Sequence, residues 1–133
     1  MKFAASLIAA SLFLLIAAFQ LSLVLGAPWG EATQGGFTDG SLPLANRGLA
    51  LVSMLLLVAF ALAILARAGL GPAKHLPHRL ITAGAWVTTV YAFVGVLLNA
   101  ASQSSLERAI WVPIGIALAI CCFITMVTSR GRT

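Results

Sequence analysis

Hydrophobic residues fill four long stretches of this chain, at positions 3–27, 48–66, 80–98 and 109–128, and no stretch contains Asp, Glu, Lys or Arg. A helix rises 1.5 Å per residue, so about 20 apolar residues cross a hydrocarbon layer of about 30 Å. Polar and charged residues lie between or beyond the stretches. The pattern therefore predicts four membrane-spanning helices.

Turn-forming residues mark the ends of these helices. Gly and Pro are concentrated between the first two stretches and again between the second and third, where they interrupt helices. Ser104 and Glu107 have the spacing of a capping box, in which each side chain satisfies a free N–H at a helix start. We expect one transmembrane domain over 1–133, all-α, folded as an antiparallel four-helix bundle. The expected helices span about 3–27, 48–67, 80–100 and 105–128, and a glycine-rich external loop covers 28–46.

Composition excludes two other classes of protein. Hydrophobic residues make up 61% of the chain and charged residues 8%, whereas a soluble domain carries roughly 25% charged residues. The isoelectric point near 10.3 raises the question of nucleic-acid binding. The basic residues, however, form no stripe with aromatic residues interleaved for stacking, so no nucleic-acid partner is expected.

The basic residues instead predict an orientation in the membrane. With four crossings, both termini and the 67–79 loop share one side, and they hold six of the eight Lys and Arg residues: Lys2, Arg67, Lys74, Arg79, Arg130 and Arg132. The other side holds Arg47, Arg108 and all three acids, Glu31, Asp39 and Glu107. By the positive-inside rule, the termini are expected to be cytoplasmic and the protein to be a multi-pass plasma-membrane protein.

The first apolar stretch also has some features of a signal peptide. It follows Lys2 and ends in Leu25-Gly26-Ala27, which is similar to a cleavage site. Its apolar run is far longer than the 7–15 residues of a signal peptide, and Pro28 would follow the cut directly. We expect the stretch to be retained as a helix.

Polar side chains within the predicted helices gather in the outer third of the bundle. Gln20, Ser53 and Tyr91 lie roughly 10 Å below the outer boundary, and Asn99 lies near the surface. They could be interhelical glue, with Arg47 paired to Glu31 or Asp39 and tryptophans anchored at the interface. Alternatively they line an outward-facing pocket, because a loop of this length is more often functional or disordered than idle. The candidate pocket residues are Gln20, Trp29, Glu31, Asp39, Arg47, Ser53, Tyr91, Asn99, Arg108 and Trp111.

No catalytic or metal-binding pattern is present in the sequence. Cys121 and Cys122 are adjacent within an apolar stretch, where thiols stay protonated and inert. His75 and His78 have no Cys or carboxylate nearby to complete a metal site. The apolar stretches contain no carboxylate of the kind that proton-coupled exporters use. We expect no catalytic residue, no cofactor and no metal.

Two segments carry a resemblance to a known group of proteins. The first is Gly26-Ala27-Pro28-Trp29-Gly30 with the later Gly35-Gly36, Leu42-Pro43 and Arg47; the second is 98–102 (LNAAS), followed by Glu107 and Trp111. Together they resemble uncharacterised small bacterial four-helix integral membrane proteins. The resemblance implies a bacterial inner-membrane location and the four-helix layout, and it carries no activity.

Two functions follow from these observations. The first is a non-catalytic accessory or homo-oligomeric membrane protein, whose partners are the lipid bilayer and another copy or a different membrane protein. Its contact surface would be the small residues of the third and fourth helices: Gly84, Thr88, Ala92, Gly95, Gly115 and Ala119. The alternative is a small-ligand binding or transport protein with an outward-facing pocket under the 28–46 loop.

Overall fold

The computed structural model describes residues 1–129, and this part of the chain is all-helical. Its long helices are α1 (Lys2–Val24), α2 (Leu44–Arg67), α3 (His78–Ala100) and α4 (Ser105–Thr128). Each of the four is long and apolar enough to cross a membrane, which confirms the prediction of four such helices. Arg130 and Arg132, used in the charge argument, lie outside the described residues.

The helix ends differ from the predicted ones by a few residues. α1 ends at Val24, three residues before the expected limit, because Gly26 adopts a φ of +102° that a helix does not contain. α2 begins at Leu44 and α3 at His78, each directly after a proline in an extended conformation. Each of these two apolar stretches begins after the polar residues of the first helical turn, which are Asn46 and Arg47 in α2 and His78 and Arg79 in α3. Hydropathy therefore predicted the starts of α2 and α3 too late.

The helices pack in a ring of neighbours, with α1 against α2 and α4, and α3 against α2 and α4. Phe13, Leu57, Ile64, Leu118 and Cys122 form the centre of the core, with alanines between them. The outward faces of the helices are rich in exposed Leu, Val and Ile. A core filled mainly by small residues allows the backbones to approach closely, as membrane helices do.

Most of the small residues of α3 and α4 pack inside the chain. A Cβ at Gly84 would lie 3.6 Å from Ala63 Cβ, and one at Gly115 would lie 3.1 Å from Val96 Cγ2. Thr88 and Ala92 are buried as well. These positions therefore bring α2, α3 and α4 together within one molecule.

The long loop between α1 and α2 is an ordered structure. This segment, residues 25–43, is called the lid loop below. It contains two 3-10 turns, Gly30–Ala32 and Gln34–Gly36. The Gly30 N–H donates to Gly40 O at 2.8 Å, which closes the loop on itself. At the opposite end of the molecule, a third 3-10 turn, Pro72–His75, connects α2 to α3.

Candidate functional site: a cavity beneath the lid loop

A cavity of about 420 Å³ lies beneath the lid loop, with walls from all four helices. α1, α3 and α4 contribute most of the wall, and α2 contributes Leu57 alone. The polar side of the lining consists of Gln20, Thr33, Gln34, Tyr91, Asn99, Ser102, Glu107 and Trp111. The apolar side includes Ile16, Leu57, Val94, Leu98 and Leu118. The cavity is thus amphipathic, with its polar groups provided by the loops and the adjoining helix turns.

Gly95 provides part of the space in the cavity. A Cβ added at this residue would meet no atom within 4 Å, so the missing side chain leaves open volume. Asn99 lies one turn later on α3 and also lines the cavity. Any larger residue at position 95 would project into the space that a ligand would use.

Three hydrogen bonds attach the lid loop to the first turns of α4. Gly35 N–H donates to Glu107 Oε2 at 3.0 Å, and Ser104 Oγ donates to Glu31 O at 2.6 Å. Trp111 Nε1 donates to Ala32 O at 2.6 Å. Each bond joins residues more than 70 positions apart, so the lid loop is held by tertiary contacts.

Glu107 is a buried carboxylate in the cavity wall, with 8% of its surface exposed. Its Oε2 accepts from Gly35 N–H and, at 2.9 Å, from Ser102 Oγ. Within residues 1–129 no Lys, Arg or His pairs with it, and its Oε1 accepts no hydrogen bond. Burial of a carboxylate is costly unless hydrogen bonds or a counter-charge offset the lost hydration. The cavity wall therefore presents an acceptor that is only half satisfied.

The helix cap at α4 differs from the predicted capping box. Ser104 Oγ accepts from Glu107 N–H at 3.1 Å, as the spacing predicted. The Glu107 side chain does not return to the Ser104 N–H, which donates to Ser102 Oγ at 3.1 Å instead. The Glu107 carboxylate therefore bonds the lid loop and lines the cavity instead of capping α4.

Several other polar groups of the wall have no partner in the described part of the chain. The Gln20 amide and the Tyr91 hydroxyl make no hydrogen bond there, and Asn99 uses only its Nδ2, which donates to Gly95 O at 2.9 Å. The Tyr91 ring instead packs on Phe60 with centroids 4.6 Å apart. These groups remain available to a bound molecule.

Four of the ten candidate residues line this cavity: Gln20, Tyr91, Asn99 and Trp111. Trp111 also packs edge-on against Phe19 at 4.8 Å, and Trp29 stacks on the same ring at 6.0 Å. Trp29 therefore holds the lid loop to α1 from outside the cavity. Ser53 is half-buried elsewhere on α2 and does not contribute to the wall.

The charged candidates lie outside the cavity. Arg47 Nε donates to Leu42 O at 2.9 Å, so this arginine fixes the end of the lid loop through a carbonyl and not through Glu31 or Asp39. Glu31 and Asp39 interact with each other on the exposed surface, where the hydrogen bond and negative charge of Asp39 raise the pKa of Glu31. Arg108 donates to Ser102 O.

Glu107 and the lid-loop residues Thr33, Gln34 and Gly35 line the wall but are not among the predicted site residues. Glu107 lies two residues before the fourth apolar stretch and was therefore placed outside the membrane. Gln34 is positioned by α2: its Nε2 donates to Asn46 O at 3.0 Å, and Asn46 Nδ2 donates to its Oε1 at 2.7 Å. The sequence feature that points to Glu107 is an acidic residue close to a predicted span, because acidic residues in or near spans are usually functional.

Two further findings concern metal ions and known proteins. Residues 1–129 contain no group of three or more His, Cys, Asp or Glu side chains that could hold a metal ion. No protein-family model, curated protein or solved structure matches this sequence.

Proposed function

We propose that this protein binds a small amphiphilic molecule in the cavity beneath the lid loop. We also propose that the protein is a multi-pass protein of a bacterial inner membrane, folded as an antiparallel bundle with both termini in the cytoplasm. The observation that carries the binding function is the Glu107 carboxylate, whose Oε1 no described group bonds, in the wall of a cavity covered by an ordered loop. Small-molecule sites have this combination of apolar walls and a few convergent polar groups, with volumes of about 300–1,000 Å³.

The chemistry of the wall defines the ligand class. Glu107 Oε1 accepts no hydrogen bond from the described residues and is therefore open to a donor, and no Lys, Arg or His lines the cavity. A head group that donates hydrogen bonds, above all a protonated amine, therefore fits this end. Val94 and Leu98 line the cavity and are also exposed on the outer face of α3. An apolar tail can therefore extend toward the lipid, which is the route by which an amphiphile would enter.

A cavity-filling substitution with a matched control tests the proposal. Gly95→Leu puts a side chain into the cavity, whereas Gly48→Leu makes the same change at an exposed helix position where a Cβ also meets nothing within 4 Å. The probe is dodecylamine, added to the protein in phosphatidylcholine nanodiscs. Because a ligand that binds only the folded state raises the unfolding temperature, dodecylamine should stabilise the wild type and Gly48→Leu but not Gly95→Leu. Equal stabilisation of all three would contradict the proposal.

The head-group preference is tested with a second variant. Glu107→Gln keeps the shape of the side chain and removes its charge, so it should weaken dodecylamine binding by about tenfold, since a hydrogen bond to a charged group contributes about 1.5–3 kcal/mol. Binding of dodecanol, which has no charge, should change much less. A Glu107→Gln protein that binds both probes as the wild type does would leave the carboxylate without a role.

The accessory or homo-oligomeric role remains the competing proposal. That role depends on contact between copies through the small residues of α3 and α4, but Gly84 and Gly115 already pack within the chain. A contact between copies would therefore need a surface other than these two positions. The mass of the protein in nanodiscs distinguishes the two: a monomer favours ligand binding, whereas a stable oligomer without dodecylamine binding favours the accessory role.

A further inference from the structure

A second cavity, of about 280 Å³, lies at the opposite end of the molecule from the lid loop. It is formed where α2 ends and α3 begins, with the 3-10 turn Pro72–His75 between them. Three basic side chains line it: Arg67 from the last turn of α2, Lys74 from the 3-10 turn and His78 from the first turn of α3. Leu76 and Ile81 contribute apolar surface beside them.

Arg67 is the unusual member of this group. Only 7% of its surface is exposed, and its buried Nε has no hydrogen-bond partner in the part of the chain that the structure describes. A guanidinium has five N–H donors and stays charged, so a buried one normally has a carboxylate or another anion beside it. An arginine left without such a partner is destabilising.

The chain itself supplies no carboxylate side chain for this arginine. Its three acidic residues are Glu31, Asp39 and Glu107, and all belong to the lid loop or to the first turn of α4, at the other end of the molecule. The nearby Lys74 adds positive charge, and neither it nor His78 carries a negative charge that could compensate the arginine. No Asp or Glu side chain of the chain can therefore neutralise Arg67, and the pocket beside it has room for an anion from outside.

We propose that the pocket at Arg67, Lys74 and His78 binds a phosphate group, supplied either by an anionic phospholipid or by a free phosphate. The planar fork of arginine matches two phosphate oxygens at once, and a lysine adds a mobile point charge. Basic pockets between membrane helices bind lipid head groups in this way. The apolar surface of Leu76 and Ile81 lies where the glycerol and first methylenes of a lipid would follow.

The test uses Arg67→Gln and a matched control, Arg79→Gln. Arg79 lies at the same end of the molecule, next to His78, but it is exposed and does not line the pocket, so its loss removes the same charge without touching the site. Each protein is unfolded thermally in dodecyl maltoside, a detergent without phosphate, with inorganic phosphate as one probe at constant ionic strength. Phosphatidylglycerol added to the micelles is the other probe, and native mass spectrometry counts the retained lipid.

We expect one or both probes to stabilise the wild type and Arg79→Gln, and Arg67→Gln to bind the effective probe at least about tenfold more weakly. Stabilisation by phosphatidylglycerol alone identifies a lipid site, stabilisation by phosphate alone identifies a soluble anion, and both together identify the phosphate group itself. In dodecyl maltoside with neither probe added, Arg67→Gln should unfold at the same or a higher temperature than the wild type, because it removes an uncompensated buried charge.

That last measurement separates loss of binding from loss of folding. If Arg67→Gln does not fold, Arg67→Lys keeps the charge without the planar fork and should bind with intermediate affinity. The proposal is overturned if neither probe stabilises the wild type, or if Arg67→Gln responds to the probes as the wild type does. The site is independent of the cavity beneath the lid loop, so either result leaves the Gly95→Leu experiment unaffected.

Discussion

At the scale of single residues, Trp111 connects the wall of the cavity to its lid. Its indole N–H donates to the buried Ala32 O, and its ring packs on Phe19. Trp111→Phe keeps an aromatic ring but leaves that carbonyl without its donor. We expect the free energy of unfolding to fall by about 1–3 kcal/mol, the usual cost of a buried polar group left unpaired.

The control for this prediction is Trp86→Phe, because Trp86 is an exposed residue of α3 that makes no hydrogen bond within residues 1–129. Unfolding of both variants in the same detergent gives the difference that belongs to the hydrogen bond. Hydrogen exchange in the lid loop should rise in Trp111→Phe alone. Similar losses in the two variants would mean that the Trp111 bond contributes nothing beyond the ring.

Glu31 and Asp39 make the lid loop sensitive to pH. The hydrogen bond and charge of Asp39 raise the pKa of Glu31, so the folded loop favours the protonated form of Glu31. The resulting stabilisation is complete below the ordinary carboxyl pKa and is lost as the pH rises through the raised value. The protection of the Gly30 amide, which bonds to Gly40 O, should therefore fall over this interval when its exchange rate is compared with the intrinsic rate at each pH. Asp39→Asn and Glu31→Gln should both reduce that loss of protection, and an unchanged profile in both would refute the coupling.

At the scale of elements, the lid loop depends on a close approach between Gly36 and the start of α4. Gly36 has a φ of +75°, and a Cβ there would lie 2.4 Å from Ser104 Cβ. Gly40 has a similar φ of +77° with nothing within 4 Å, so it provides a control for backbone strain alone. A left-handed conformation costs a non-glycine residue about 1–2 kcal/mol. We therefore expect both Gly36→Ala and Gly40→Ala to lower the free energy of unfolding by this amount.

Gly36→Ala should lower the free energy of unfolding further than Gly40→Ala does, because the added methyl group must push the lid loop away from Ser104. We expect an additional loss of about 1–3 kcal/mol, the usual cost of overpacking. Thermal unfolding gives the total, and limited proteolysis within 25–43 reports whether the loop has opened. Equal stability of Gly36→Ala and Gly40→Ala would show that the loop adjusts without leaving α4.

The helices could be predicted from the sequence, but the loop contacts could not. Four apolar stretches define four spans because lipid permits little else, and Ser104 caps α4 as its spacing predicted. The bond from Trp111 to Ala32 joins residues 79 positions apart. No local pattern determines it, because it depends on how the lid loop folds and on which helix lies below.

At the scale of the whole molecule, the cavity depends on the rotation of each helix as well as on depth. Counting residues from the span ends gives the depth of a side chain, and by that measure Gln20, Ser53 and Tyr91 are equivalent. Gln20 and Tyr91 line the cavity, whereas Ser53 does not. The difference is the direction each residue faces, which neighbouring helices determine. Depth alone therefore grouped Ser53 with Gln20 and Tyr91, although Ser53 does not line the cavity.

The orientation of the whole molecule in the membrane remains a prediction from charge. If the lid loop is external and the turn Pro72–His75 is cytoplasmic, cysteines placed at these two ends must differ in their access to reagents outside the cell. Ala45→Cys and His75→Cys are suitable, because both positions are exposed. A membrane-impermeant maleimide should label Ala45→Cys in intact cells and His75→Cys only after lysis. The native Cys121 and Cys122 lie within the α4 span, so the wild type serves as the background. The reverse labelling pattern would invert the topology, and labelling of both variants in intact cells would contradict a single orientation.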